Sequence, residues 1–201
     1  ILYVNLFSYN QSRDQKQHYR QNPIVFLNLR LPTPHLWNSM EIEILAIYLS
    51  PDHDFRGHHG NPRGNNPILQ PDSVECVAGQ GLVGDRYFGY QDDYKGQITF
   101  FDEAVHLAAR DALNCYDTPP EAYRRNILTR GIDLNTLIDA TFRIGDATFK
   151  GSQECAPCYW MDEAFCPGME EFLKGRGGLR ARILTGGTLT KGPTHLEIKS
   201  S

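Results

Sequence analysis

Three cysteines, Cys155, Cys158 and Cys166, fall within a window of twelve residues in QECAPCYWMDEAFCPG, residues 153–168. Thiols so spaced serve as zinc ligands, as a redox pair, as a disulfide, or as one working thiolate with two bystanders. Cys155-x-x-Cys158 is half of a common zinc pattern and Cys166 offers a third sulfur. A closed structural site needs a fourth ligand, and no second C-x-x-C or H-x-x-x-H follows. A thioredoxin-like pair sits at a helix N-terminus after a strand, where the dipole lowers the thiol pKa. Pro157 suits that reading, but Asp162 and Glu163 add two acids nearby and no βαβ pattern surrounds the segment. Inert burial is the remaining reading for Cys158 and the expected fate of Cys76 and Cys115. Five cysteines, an odd number without framework spacing or a secretion signal, read as free thiols in a reducing, cytoplasmic setting.

Arginines are the second chemical feature. In GRGGLRARILTGG, strand alternation sets Arg180 and Arg182 on one face and Leu179, Ala181 and Ile183 on the other. YRRNILTRG adds Arg124, Arg125, Asn126 and Arg130. Arginines gathered beside glycine turns make an anion cradle, because guanidinium forks match phosphate oxygens and bare backbone N–H groups add to them. The competing reading is a set of surface salt bridges with the acids. One soft thiolate and a phosphate cradle together suit a cofactor with a soft metal at one end and phosphate at the other.

Weaker features surround these. His53, His58 and His59 lie in a Gly/Pro/Asn loop that reads as a flexible rim shaping access rather than a metal site. Asp85-Arg86 follows a glycine turn and either faces the cofactor or forms a local salt bridge. Asp162 and Glu163 either shuttle protons or cap the helix region that follows Pro167.

The elements that position these groups are mostly strands. EIEILAIYLS is strand-like, and SVECVAGQGLVGDRYFG is a strand entering a glycine-rich turn. Asp102 caps a helix with Val105, Ala108, Ala109 and Ala112 on one face, and Thr118-Pro119 starts a shorter one. ATFRIGDATFKG is a hairpin about Gly145-Asp146. Residues 167–174 form a short helix with Met169, Phe172 and Leu173 inward and Gly175 as its stop. LRARIL and HLEIK are closing strands. Many short strands, glycine turns and few helices predict a mainly β fold, a closed or nearly closed barrel decorated by short helices.

Residues 1–39 read differently, as a loose N-terminal extension or an upstream translation artefact, with the domain spanning 40–201 from Met40; the alternative is that IVFLNL docks as an extra strand. The extension holds four Lys/Arg and one acid, so the remainder carries 16 − 23 = −7. Such a body is a poor non-specific nucleic-acid binder. No segment reaches the length of a membrane-spanning helix. The expected partners therefore exclude nucleic acid and membrane.

From about Met40 to Lys199 the chain resembles the MOSC domain family, named for the C-terminal domain of molybdenum-cofactor sulfurase. The likeness runs through EILAIYLSP, ECVAGQGLVGDRYFG, RRNILTRGIDLNTLIDATFRIGDATFKG, CAPC and GRGGLRARILTGG. It implies a MOSC-type β-barrel that holds a molybdopterin-type molybdenum cofactor. It further implies that Cys158, after Pro157, ligates molybdenum as the catalytic residue, and that Arg124 and Asn126 of the R-x-N segment hold the pterin phosphate; the strand alternation above adds Arg180 and Arg182 to the expected cofactor-binding cradle. By the same likeness, small N-hydroxylated bases or amidoximes are reduced to amines, with electrons from a partner protein, since no flavin, haem or nicotinamide motif is visible. Relatives of this kind often carry His-Gly-Gly ahead of the helix, where this chain has Lys95, Gly96 and Gln97. The family also admits a sulfur-carrier role, a cysteine persulfide delivering sulfur to metal–sulfur cofactors, with Cys155 placed to resolve it by exchange.

Overall fold

Alternation of inward apolar and outward polar residues makes the strands of this protein. The computed structural model describes residues 37–54 and 64–200. The expectation for residues 1–39 therefore lies outside the described residues except at its last three positions, and so do His58 and His59. The strands are β1 (Trp37–Ile47), β2 (Ser73–Val77), β3 (Gly81–Leu82), β4 (Ile98–Asp102), β5 (Ile127–Arg130), β6 (Thr141–Ile144), β7 (Ala147–Glu154), β8 (Leu179–Thr185), β9 (Gly187–Thr190) and β10 (Gly192–Lys199). Strand β1 begins three residues ahead of Met40, with Trp37 opposite Lys199.

Seven strands close a barrel in the order β1-β10-β6-β7-β8-β4-β5, with β5 returning to β1. All pairings are antiparallel except β4 with β5. That parallel pair needs a crossover, which helix α1 (Glu103–Leu113) supplies. A small sheet, β3-β2-β9, packs beside the barrel. Inside the barrel Phe100, Phe142 and Phe149 meet with ring centroids 5.3–5.7 Å apart. In β1, a register slip between Ile44 and Ala46 gives the next buried place to Ile47.

A second apolar cluster joins the barrel wall to the helices α1, α2 (Trp160–Ala164) and α3 (Met169–Phe172), through Phe101, Tyr123, Trp160, Met169 and Leu173. Asp102 caps α1 as expected, its carboxylate accepting from the Ala104 N–H at 2.9 Å. The buried face differs from the expected one: His106 and Ala109 are buried, whereas Ala108 and Ala112 are exposed. Alanines have so little apolar area that they do not choose the face; His106 turns inward because its Nδ1 lies 3.2 Å from the Tyr123 hydroxyl. The helix expected after Thr118 is one 3-10 turn, Pro120–Tyr123. In the α3 region Met169 and Leu173 are buried, with Phe172 only partly so.

Candidate functional site

The Cys158 segment leaves the end of β7 and enters α2. Cys155 is held at the barrel wall, its N–H donating to the Gly178 carbonyl at 2.7 Å. Gly177 and Gly178 permit this approach: a Cβ on the first would overlap the Cys155 carbonyl oxygen, and the second has φ +96° with the Phe100 carbonyl oxygen against it. The Cys158 carbonyl accepts from the Met161 N–H at 2.8 Å, turning the chain into α2, where Trp160 and Met161 are buried. Two buried anchors beside an exposed Cys158 fix a presented thiol, while Cys155 is only 1% exposed.

Cys158 opens on a cleft of about 200 Å³ that continues, through shared walls, into a more enclosed space of about 60 Å³. Arg86, Tyr87, Arg124, Arg125 and Arg180 line both parts. Cys158, Trp160 and Met161 line the outer part, and Tyr94, Thr99, Asn126 and Cys155 the inner part. Arg124 forms a buried ion pair with Asp54 at 2.7 Å and donates to the Asp52 carbonyl at 2.9 Å. Arg86 lies 3.6 Å from Asp85 and over the Tyr87 ring. Arg125 donates to the carbonyls of Gly177, Tyr123 and Cys155 at 3.0–3.1 Å. Among the described residues no carboxylate pairs with Arg125 or Arg180. Among the described residues, four guanidiniums against Asp54 and Asp85 leave two positive charges, 4 − 2, at the cleft. An enclosed site with that excess attracts an anion.

Asn126 has a different place from the one expected of a ligand. Its Oδ1 accepts from the Thr99 N–H at 3.0 Å and from the Thr99 hydroxyl at 2.8 Å. Its Nδ2 donates to the Tyr48 carbonyl at 3.2 Å and to Asp85 Oδ2 at 3.1 Å. All the donor capacity of the amide is used within the protein. Asp85 in turn accepts from the N–H groups of Ser50 and Tyr87, at 3.2 and 3.1 Å. Asn126 and Asp85, both about 6% exposed, thus brace β1, β4 and β5 against the turn that carries Arg86 and Tyr87.

The sequence-expected residues are brought together only in part. Cys158, Arg124, Asn126 and Arg180 share the cleft walls; Arg182 is held outside by Asp93, with Nε to Oδ1 at 2.6 Å. The alternation that aligns Arg180 with Arg182 along β8 is real, but two residues along a strand are about 7 Å apart, enough to leave the cleft. Arg130 pairs with Glu103 and Glu43, at 2.6 and 2.8 Å, away from the cleft walls. Asp162 acts as a cap, accepting from the Glu170 N–H at 2.6 Å. Of the rim histidines, His53 is described and packs edge-on against Tyr87 at 5.2 Å.

Sequence reasoning missed the tyrosines. Tyr87, Tyr90 and Tyr94 form a triangle with centroids 5.1–5.4 Å apart, two of them on the cleft wall. Their spacing in DRYFGYQDDY was the available signal, but it lies in turns, where no period forecasts a shared face. Burial, and then the neighbouring Tyr87, push the Tyr94 phenol up to about 12, with Arg180 pulling the other way. Tyr94 is therefore a neutral hydroxyl at physiological pH. Gly96 allows its ring to close over the backbone, since a Cβ there would stand 3.2 Å from the ring. Gln97 is structural: its amide joins the Gly79 carbonyl to the Ile183 N–H, both at 2.8 Å.

The MOSC domain profile matches residues 85–194, from the buried carboxylate of the brace to the last barrel strand. The chain belongs to the MOSC domain family. Solved structures place it in the same fold. The YuaD protein of Bacillus subtilis is similar at TM-score 0.64 and 15% identity, over 83% of this chain and all of that one. YiiM of Escherichia coli is similar at TM-score 0.54 and 19% identity, over 81% of this chain and 71% of that one. YiiM of Geobacillus stearothermophilus gives TM-score 0.56 and 14% identity, over 79% and 75%. A search of curated protein sequences finds no match. The closed seven-stranded barrel with short helices is thus the MOSC architecture in this chain. Among the described residues no helix is long and apolar enough to cross a membrane.

Proposed function

We propose that this MOSC protein binds a molybdopterin-type cofactor in the arginine-lined cleft, with Cys158 as the molybdenum ligand, and reduces small N-hydroxylated substrates. The observation that carries the reading is an exposed thiol on the wall of a cleft in which, among the described residues, Arg125 and Arg180 have no carboxylate partner. The residues fit such a group at both ends. Cys158 offers the soft donor, and one protein thiolate suffices when the pterin dithiolene brings the other sulfurs. Arg180 and Arg86 supply forked donors to phosphate, and Arg125, whose three nitrogens already donate to the carbonyls of Gly177, Tyr123 and Cys155, adds positive charge. Arg124, engaged by Asp54, adds field more than free donors, and Asn126 acts by holding Thr99, Asp85 and through it the Arg86 turn. Tyr94 keeps its proton and stands as a donor, and the Tyr87 ring walls the cleft. Bound there, the cofactor supplies two-electron oxygen-atom chemistry. An electron-donating partner protein completes the proposed turnover.

Sulfur carriage is the second reading, favoured by the position of Cys155 on the inner part of the same cleft that Cys158 opens on. A persulfide on Cys158 would then be resolved by exchange with Cys155. Metal, pterin and sulfur analysis of protein purified from a cofactor-making host separates the two. Molybdenum with pterin supports the enzyme; cyanide-labile sulfur with neither supports the carrier and overturns the first reading.

A further inference from the structure

Asp54 stands outside the segment that the MOSC profile matches, yet it lines the outer part of the cleft. It is 3% exposed, and both of its carboxylate oxygens are engaged. Oδ1 accepts from the Asn66 N–H at 2.7 Å, and Oδ2 meets Arg124 Nη1 at 2.7 Å. The chain around Asp54 fixes that position. Asn66 also donates through its side chain to the His53 carbonyl at 3.2 Å, and a Cβ on Gly64 would stand 2.7 Å from the Asp54 Cα, an approach only glycine allows. Arg124 is fixed from its own side. It follows the 3-10 turn Pro120–Tyr123 in the left-handed conformation, φ 56°, which a non-glycine residue keeps only where its surroundings hold it. Its Nη2 donates to the Asp52 carbonyl at 2.9 Å, so both η nitrogens are turned toward residues 52–54. The other ion pair of the cleft is looser. Arg86 lies 3.6 Å from Asp85, whose charge is shared among the N–H groups of Ser50 and Tyr87 and the Asn126 amide. Arg180 meets no carboxylate among the described residues. An oxyanion entering the cleft therefore finds Arg180 ready to receive it and Arg124 bound to a carboxylate that repels it.

We infer that Asp54 is a specificity-determining residue of the cleft: it holds Arg124 away from free oxyanions such as inorganic phosphate, and so reserves the site for a ligand that brings a second anchor to the Cys158 end. The inference rests on the cleft being an anion site and on nothing about the metal. Discrimination is a difference between affinities, and it needs an unfavourable element for the wrong ligand. Asp54 supplies that element. A lone phosphate must meet the Asp54 charge and compete for Arg124 with no other contact to offset the cost, because a buried pair opened on one side leaves a charge without its partner. A ligand anchored at both ends meets the same repulsion with its second contact already made, which raises the effective concentration of its anionic group at the arginines.

The test uses the full chain without cofactor and inorganic phosphate as the probe, titrated by calorimetry at constant ionic strength. Asp54→Asn is isosteric, keeps Oδ1 for the Asn66 N–H and takes the carboxylate charge off Arg124. Its phosphate affinity should rise about ten- to a hundredfold over wild type, the weight of one charge-assisted bond. Without phosphate it should melt below wild type, because the buried guanidinium loses its carboxylate, and phosphate should raise its melting temperature by more than it raises that of wild type. Asp54→Asn combined with Arg124→Gln removes one charge of each sign, so its phosphate affinity should lie within about threefold of wild type. Phosphate affinity in folded Asp54→Asn that is unchanged or lower overturns the inference. A loss of about tenfold or more in the double variant also overturns it, since Arg124 would then be a direct phosphate ligand with Asp54 in place. The double variant removes both charges of the buried pair, so it decides where Asp54→Asn alone fails to fold. Molybdenum and pterin analysis tests the cofactor reading separately, and either reading can fail while the other stands.

Discussion

Asn126→Asp separates a brace from a ligand. The change is isosteric, so it leaves Oδ1 in place for Thr99 and turns Nδ2 into an oxygen. That oxygen then faces the Tyr48 carbonyl and Asp85 Oδ2, which the amide reaches at 3.2 and 3.1 Å. The Tyr48 carbonyl loses this donor, costing about 1–3 kcal/mol, or about 2 kcal/mol at mid-range, while Asp85 Oδ2 loses one donor and keeps the Ser50 N–H. Two carboxylates in contact add repulsion unless one holds a proton, which raises the pKa of the pair. For a chain of this size roughly 2–4 °C is lost per kcal/mol, so the apo protein should melt at least roughly 4–8 °C lower at neutral pH. The sign of the pH dependence follows. A raised folded-state carboxyl pKa means that the native variant binds a proton more tightly than the unfolded chain does. Its deficit relative to wild type should therefore shrink as pH falls through that raised value. Thermal unfolding of both apo proteins across the acidic range measures this. An unchanged melting temperature together with weakened retention of pterin or pyrophosphate would refute the brace and return Asn126 to the role of direct ligand.

The other predictions concern charge, sulfur and the buried histidine. Arg180→Ala should weaken pyrophosphate or cofactor binding about ten- to a hundredfold, from the roughly 1.5–3 kcal/mol of a charge-assisted bond, with the apo melting temperature nearly unchanged. Arg182→Ala, removing only the exposed pair with Asp93, should leave binding within about twofold; calorimetry of both variants checks the contrast, and equal losses would reject it. Cys158→Ser should lose molybdenum and activity while keeping its fold, whereas Cys155→Ser and Cys166→Ser keep most activity; metal analysis and melting curves of the three decide, with stability lost in all three the refuting result. Burial, and then Arg110, lower the His106 pKa, against a smaller opposing pull from Glu103. The unfolded chain then takes up a proton that the native state refuses, so stability should fall as pH drops below about 6.5. That slope should vanish in His106→Gln, as read from denaturant midpoints.

The barrel was legible in the chain because its signals are local. Alternation in LRARIL, the Gly145-Asp146 hairpin and the Asp102 cap each depend on neighbours a few residues away, and all three are present. The face of α1 was not legible, because alanines carry too little area to choose a face and the partner of His106 lies seventeen residues on, at Tyr123. The sequence by itself determined that a Pro-Cys segment, an arginine-asparagine segment and a glycine-rich arginine strand belong to one MOSC chain. Only the tertiary structure decided which arginines keep their charge for the cleft. Arg124 and Arg182 are answered by Asp54 and Asp93, 70 and 89 residues away, while no carboxylate among the described residues answers Arg125 or Arg180. Ion pairing depends on distance in space, and a list of charged residues carries no such distances until the strands set their register.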